Sequence, residues 1–170
     1  LTPGLQLLLC QENGATGGYS TMADGIAVAE AIRREDPDAF DALTTLSWVQ
    51  SNRHAQYDYR QSRPVVRLGR DGAVEEILLN DFLRAEPDMP EGEIERAYRA
   101  VRLFMSHIRS ERFLCRYPFS AGDLILFDNR RMLHGRDAFD PMSGTRRLEG
   151  CYLDTDEIRS RLRVLARATT

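Results

Sequence analysis

Three histidines, His54, His107 and His134, are the only imidazoles in the chain of 170 residues. Imidazole is the side chain best suited to hold a metal or move a proton near neutral pH. The three are not equivalent. His107 lies inside a strongly periodic helical stretch, next to Ile108, and reads as a structural histidine. His54 falls in a polar and aromatic stretch, residues 51–64, that reads as a solvated loop, although loops do carry function. His134 follows the apolar run Leu124-Ile125-Leu126-Phe127 and the turn residues Asp128-Asn129-Arg130-Arg131, and it precedes Gly135-Arg136. That order predicts a strand end, where a sheet can present a ligand. None of the three has a carboxylate two residues on: His54 is followed by Ala55-Gln56, His107 by Ile108-Arg109 and His134 by Gly135-Arg136. HExxH and CxxC patterns are absent, so a zinc hydrolase has no ligand set here. Cys10, Cys115 and Cys151 are odd in number and widely spaced, which fits reduced, mostly buried thiols. All 23 basic residues are arginine, so a lysine nucleophile or Schiff base is excluded.

The elements that must position these groups follow from periodicity and punctuation. Leu5 to Cys10 reads as a buried strand, and Gly14 and Gly17-Gly18 as turns. Tyr19 to Ala23 reads as a second strand. Asp24 caps a helix over Ile26, Ala27, Ala31 and Ile32, and Asp36-Pro37 opens another with Phe40, Leu43 and Leu46 on its apolar face. Val65–Arg70 and Val74–Leu79 flank Asp71-Gly72 as a hairpin. Residues 86–90 read as a proline-rich loop. Ile94, Ala97, Tyr98, Val101, Met105 and Ile108 recur at helical spacing, with Glu93 and Glu95 at the start and Arg109 and Arg112 at the end, as the helix dipole favours. Phe113–Pro118, Leu124–Phe127 and Arg146–Leu153 read as strands, the middle one buried. Asp154 and Glu157 open a final helix with Ile158, Leu162 and Leu165 on one face. Strands dominate both ends and helices lie between them. Without a βαβα alternation, the pattern predicts a mainly β fold with helices (α+β), an antiparallel sheet or jelly-roll barrel, rather than a doubly wound parallel sheet.

Composition bounds the class. The apolar fraction is 42% and the charged fraction 29%, ordinary for a globular protein with a core. The net charge of −3 argues against nucleic acid or an anionic membrane surface as the main partner. No apolar run is long enough for a transmembrane helix, and the start lacks the basic region of a signal peptide. The expected location is cytoplasmic.

The segment Gly122-Asp123-Leu124-Ile125-Leu126-Phe127-Asp128-Asn129-Arg130-Arg131-Met132-Leu133-His134-Gly135-Arg136 resembles the distal-histidine motif of the Fe(II)- and 2-oxoglutarate-dependent oxygenases of the taurine dioxygenase superfamily. The stretches Arg146 to Asp154 and Ser160 to Leu165 are similar to its γ-butyrobetaine hydroxylase branch. Pro3-Gly4-Leu5-Gln6-Leu7-Leu8, Gly17-Gly18-Tyr19-Ser20 and Asp24-Gly25 match in order and spacing, so the resemblance spans nearly the whole chain. It implies a double-stranded β-helix (jelly roll), incomplete at its N-terminus, with residues 1–170 as the C-terminal part of a catalytic oxygenase domain. It implies His134 as the distal iron ligand and Arg146, with Arg147 as fallback, as the clamp on the far carboxylate of 2-oxoglutarate. Adjacent residues of a strand face opposite ways, so only one of the two arginines can serve. A surface charge is the plain reading for the other and for Arg136. Ser20 matches a hydroxyl that can bond the same carboxylate, or is a turn hydroxyl. Tyr152 matches an aromatic wall for a trimethylammonium group, since aromatic faces bind quaternary ammonium, or is a core tyrosine. Asn80 matches a polar position near the substrate, or is a strand-end turn residue.

The resemblance also predicts a His-x-Asp motif just before the first strand, and the chain contains none. One histidine does not hold a catalytic iron. The expectation is a C-terminal fragment of a longer protein, with a degenerate homologue as the alternative. The implied activity is hydroxylation of a small trimethylammonium carboxylate, γ-butyrobetaine to carnitine first and trimethyllysine second, with Fe(II) and 2-oxoglutarate required and a homodimer possible. A non-catalytic barrel that binds a small anion or a partner chain is the alternative of another class.

Overall fold

The computed structural model describes residues 3–80 and 83–168. In chain order the strands and helices begin with β1 (Leu5–Asn13), β2 (Thr16–Gly17), β3 (Ser20–Asp24), α1 (Gly25–Glu35) and α2 (Pro37–Thr45). There follow β4 (Ser47–His54), β5 (Tyr57–Pro64), β6 (Val66–Leu68), β7 (Val74–Ile77), β8 (Arg84–Asp88) and α3 (Ile94–Ile108). The last elements are β9 (Cys115–Tyr117), β10 (Leu124–Asp128), β11 (Met132–Arg136), β12 (Phe139–Asp140), β13 (Arg146–Leu153) and α4 (Thr155–Ala168). The fold is mixed α+β with more strand than helix. Its sheets hold two or three strands each, and no closed barrel forms among the described residues.

The chain divides into two compact units. One comprises Met22–Cys115 with Arg131–Leu133. Its core is built by α1, α2 and α3, whose apolar residues Val28, Ala29, Ile32, Ala42, Leu43, Ala97, Ala100, Val101 and Phe104 pack with Trp48, Val66 and Ile77. Phe104 and Ile32 are fully buried. The helix starts are fixed locally. The Asp24 carboxylate accepts from the N–H groups of Ile26 (3.0 Å) and Ala27 (3.2 Å), and Asp36 accepts from Ala39 N (2.9 Å) with Pro37 in the first turn. The expected hairpin about Asp71-Gly72 forms from β6 and β7, with Gly72 at φ +79°, where a side chain would be strained.

Two expectations fail in this unit. Residues 51–64 are not a loop. They are the end of β4 and all of β5, paired antiparallel from Ser47↔Pro64 to His54↔Tyr57 around Ala55-Gln56. Most residues there are exposed on both faces, so the apolar alternation that marks a half-buried strand is missing. Residues 86–90 are not wholly a loop either, because β8 takes Glu86 to Asp88 and sets Pro87 opposite Trp48. The sheet order is β5-β4-β8, so Pro87 stands on an edge strand, where a missing N–H is tolerated.

The other unit comprises residues 3–21, Arg116–Arg130 and 134–168. Its main sheet has the order β10-β1-β13 and is antiparallel, with Gln6 opposite both Phe127 and Tyr152, Leu8 opposite Ile125 and Gly150, and Cys10 opposite Leu148. A bulge after Cys10 brings Asn13 opposite Arg146. Directly opposed residues share a face. One face therefore carries Gln6, Leu8, Cys10, Ile125, Phe127, Arg146, Leu148 and Tyr152. The other carries Leu5, Leu7, Leu9, Leu124, Leu126, Cys151 and Leu153. The expectation of a buried strand at Leu124–Phe127 holds for one face only: Phe127 is 8% exposed, while Leu124 and Leu126 are 57% and 59% exposed. A continuous apolar run shows that both faces are apolar, not that both are covered. The cysteines need a similar correction, since Cys10 is buried but Cys115 and Cys151 are exposed. A further small sheet has the order β11-β3-β9.

Candidate active site

His134 is the third of five residues in β11, so it lies mid-strand rather than at a strand end. Its ring packs against Phe127, with centroids 5.1 Å apart. The residue is exposed, yet enough protein surrounds the ring that burial holds its pKa below the usual imidazole value. The ring is thus partly desolvated while the residue remains open to solvent. A neutral imidazole at pH 7 has a free nitrogen lone pair, which is what a metal requires.

Arg146 lies at the start of β13, on the sheet face that also carries Phe127 and Tyr152. Its Nε is buried and has no hydrogen-bond partner among the described residues. Burial, and then the like charge of Arg136, push its pKa below the ordinary arginine value. The stem of Arg146 lies against Gly18: a Cβ there would stand 3.2 Å from Nε and 3.1 Å from the Phe139 Cβ. Gly18 has φ +70°. The second glycine of the pair is thus needed twice, for its backbone conformation and for the space the guanidinium stem occupies. Arg147 points the other way and is exposed, as strand alternation requires.

Ser20, two residues after Gly18, is buried at 7% exposure. Tyr152 is 57% exposed, which removes the reading of a core tyrosine. Asn80 is exposed, lies three residues past the end of β7 and belongs to the helical unit. The strand unit therefore holds His134, Arg146, Ser20 and Tyr152. Arg136 alternates onto the His134 side of β11, and its guanidinium sits 4.2 Å above the Phe139 ring. It is more than a solvated charge, because it acts on Arg146. The other histidines have local roles. His107 bonds Leu103 O and the Glu35 carboxylate, each at 3.0 Å, and His54 stacks on Tyr57.

Two residues of this face escaped the sequence reading. Phe127 was read only as part of an apolar run. Gln6 is 4% exposed, and its Oε1 is buried without a partner among the described residues. A lone amide inside Leu5-Gln6-Leu7-Leu8-Leu9 was the available signal. No group of three or more His, Cys, Asp or Glu side chains able to hold a metal occurs among the described residues. The side chains present thus fit an anion at Arg146 and one corner of a metal site at His134, not a whole metal site.

Residues 2–152 match the model of the taurine catabolism dioxygenase TauD, TfdA family. The chain belongs to that family. It is 48% identical over 169 residues to the γ-butyrobetaine dioxygenase of Pseudomonas sp. (strain AK-1), covering 98% of this chain and 44% of that protein. To the γ-butyrobetaine dioxygenase of Homo sapiens it is 32% identical over 171 residues, 96% of this chain and 43% of that one. The chain thus spans less than half the length of these TauD/TfdA relatives. Among solved structures, that of AAD-2 in complex with Mn(II) and N-oxalylglycine superposes with a TM-score of 0.70 at 18% identity, over 89% of this chain and 63% of that one. At that identity the likeness is one of fold.

Proposed function

We propose that this TauD/TfdA chain carries the cosubstrate anchor, one metal ligand and part of the substrate wall of an Fe(II)- and 2-oxoglutarate-dependent dioxygenase that converts γ-butyrobetaine to carnitine. The observation that carries this reading is Arg146: a half-buried arginine whose Nε is buried and has no hydrogen-bond partner among the described residues, held against a glycine. Partial desolvation of a cation is unfavourable, as the lowered pKa of Arg146 shows, and a dicarboxylate would relieve it. Bound iron, 2-oxoglutarate and dioxygen would supply the oxidising chemistry, and the protein's part is position and electrostatics. Arg146 would clamp the far carboxylate, which suits a planar, always-charged donor, and the Ser20 hydroxyl would donate to the same group. The His134 imidazole, braced by Phe127, would give one ligand. The open face of Tyr152 would take the trimethylammonium head. A role for Asn80 as a polar substrate contact rests on the family resemblance.

The sheets β10-β1-β13 and β11-β3-β9 fit parts of a jelly roll, and residues 1–170 fit the C-terminal part of its catalytic domain. No described helix is long and apolar enough to cross a membrane, which is compatible with the cytoplasmic location proposed here. The homodimer is proposed from the resemblance alone.

The test is substrate-dependent release of succinate from 2-oxoglutarate by the full-length protein, with Fe(II) present. Turnover with γ-butyrobetaine well above that with trimethyllysine is the expected result. The reverse order would move the substrate to trimethyllysine. Binding of 2-oxoglutarate without turnover of either would leave the non-catalytic module. Tight, 2-oxoglutarate-dependent Fe(II) binding by these 170 residues alone would contradict the assignment of a single metal ligand to them.

A further inference from the structure

The middle strand of the main sheet sets one polar residue in an otherwise apolar and aromatic row. Across β10, β1 and β13 that row reads Phe127, Gln6, Tyr152. His134 packs on the Phe127 end and Tyr152 is open at the other. Gln6 between them is 4% exposed, and its Oε1 has no hydrogen-bond partner among the described residues. Buried amides are normally satisfied, so an orphaned acceptor in a row that ends on a candidate metal ligand asks for a ligand. The Arg146 end of the same face lies six residues further along β13, beyond Gly150 and Leu148. At about 3.3 Å per residue that is on the order of 20 Å, so Gln6 belongs to the Tyr152 end.

We propose that Gln6 is a specificity-determining residue at the substrate end of the site, where its amide oxygen faces the methylated cationic head held by Tyr152. The proposal rests on the function argued above and adds a second contact to it. A quaternary ammonium has no N–H to donate. Its charge is spread over its methyl hydrogens, so its partners are aromatic faces and acceptor oxygens that meet polarised C–H groups. A neutral amide supplies such an oxygen without burying a second charge. A half-turn of the amide exchanges its oxygen and nitrogen, so the group can turn its acceptor outward when the head arrives.

The experiment measures binding and KM in the full-length protein for γ-butyrobetaine, for 5,5-dimethylhexanoate, its isostere with an uncharged head, and for 2-oxoglutarate. Gln6→Leu should weaken γ-butyrobetaine by roughly tenfold, the size of one lost contact to a charged group. It should leave 2-oxoglutarate unchanged, reduce the preference for the cation over the isostere and leave Tm equal or higher, because an unsatisfied acceptor has gone. Gln6→Glu keeps the oxygen and should bind γ-butyrobetaine closer to the parent than Gln6→Leu does. Unchanged γ-butyrobetaine binding in Gln6→Leu overturns the proposal while the dioxygenase reading stands. Equal losses for both ligands together with a fall in Tm also overturn it, by showing a structural role. Failure of the parent protein to bind either ligand overturns the dioxygenase reading first, and this proposal with it.

Discussion

At the scale of single residues, the site depends on groups whose environments differ from water. Arg146 is the clearest: it is half-buried, its Nε has no partner among the described residues and its pKa is lowered. Arg146→Gln should weaken N-oxalylglycine binding by roughly 10- to 100-fold, the cost of removing a charge-assisted contact to a carboxylate, whereas the exposed Arg147→Gln should leave it unchanged. Calorimetric titration of the two variants checks both. Gly18→Ala should cost about 1–2 kcal/mol of stability because φ is +70°, and it should also weaken the same titration by displacing the Arg146 stem. Asp24 gives a pH dependence. Burial alone would raise its carboxyl pKa, but the Arg131 guanidinium and the N–H groups of Ala27 and Ile26 hold it below the usual value. A folded pKa below the unfolded one means that the contribution is fully present above the unfolded value of about 3.9. It is lost as pH falls through the folded value. Asp24→Ala should remove about 1 kcal/mol at pH 7 and progressively less below pH 4, read from melting curves across that range.

Among the elements, those with a strong period were legible and those without one were not. The 15 residues of α3 announce themselves because Ala97, Val101 and Phe104 fall on one face. Phe104→Ala should cost about 3–5 kcal/mol, as for a fully buried aromatic, measured by denaturant unfolding. The hairpin of β4 and β5 carries no such signal, because Asn52, Arg53, Tyr57, Asp58, Tyr59 and Arg60 are all exposed. Backbone pairing made it a hairpin, and side-chain pattern had little part. Arg60→Ala there should change stability by no more than about 0.5 kcal/mol. The strand at Leu124–Asp128 shows the converse: its apolar run gave the element but not which side is covered.

For the whole molecule, the two units differ in how much they bury. The helical unit holds the apolar core. In the strand unit, most of β13 is exposed and α4 has no buried residue. Amide exchange should therefore be slowest in α1 and α3 and fast in α4 and the end of β13, as mass spectrometry of exchanged peptides would show. Much was set by the sequence alone: the family, the capped helices, the strand that carries Arg146 and the single histidine in a motif context. Those features depend on residue types at short, fixed spacings, where backbone geometry leaves little choice. Only the tertiary structure decided that Gln6, Phe127 and Tyr152 share a face, because the register of β1 against β10 and β13 joins residues more than a hundred positions apart. It also decided that Gly18 yields its side-chain space to Arg146, since long-range packing determines which backbone a guanidinium lies against.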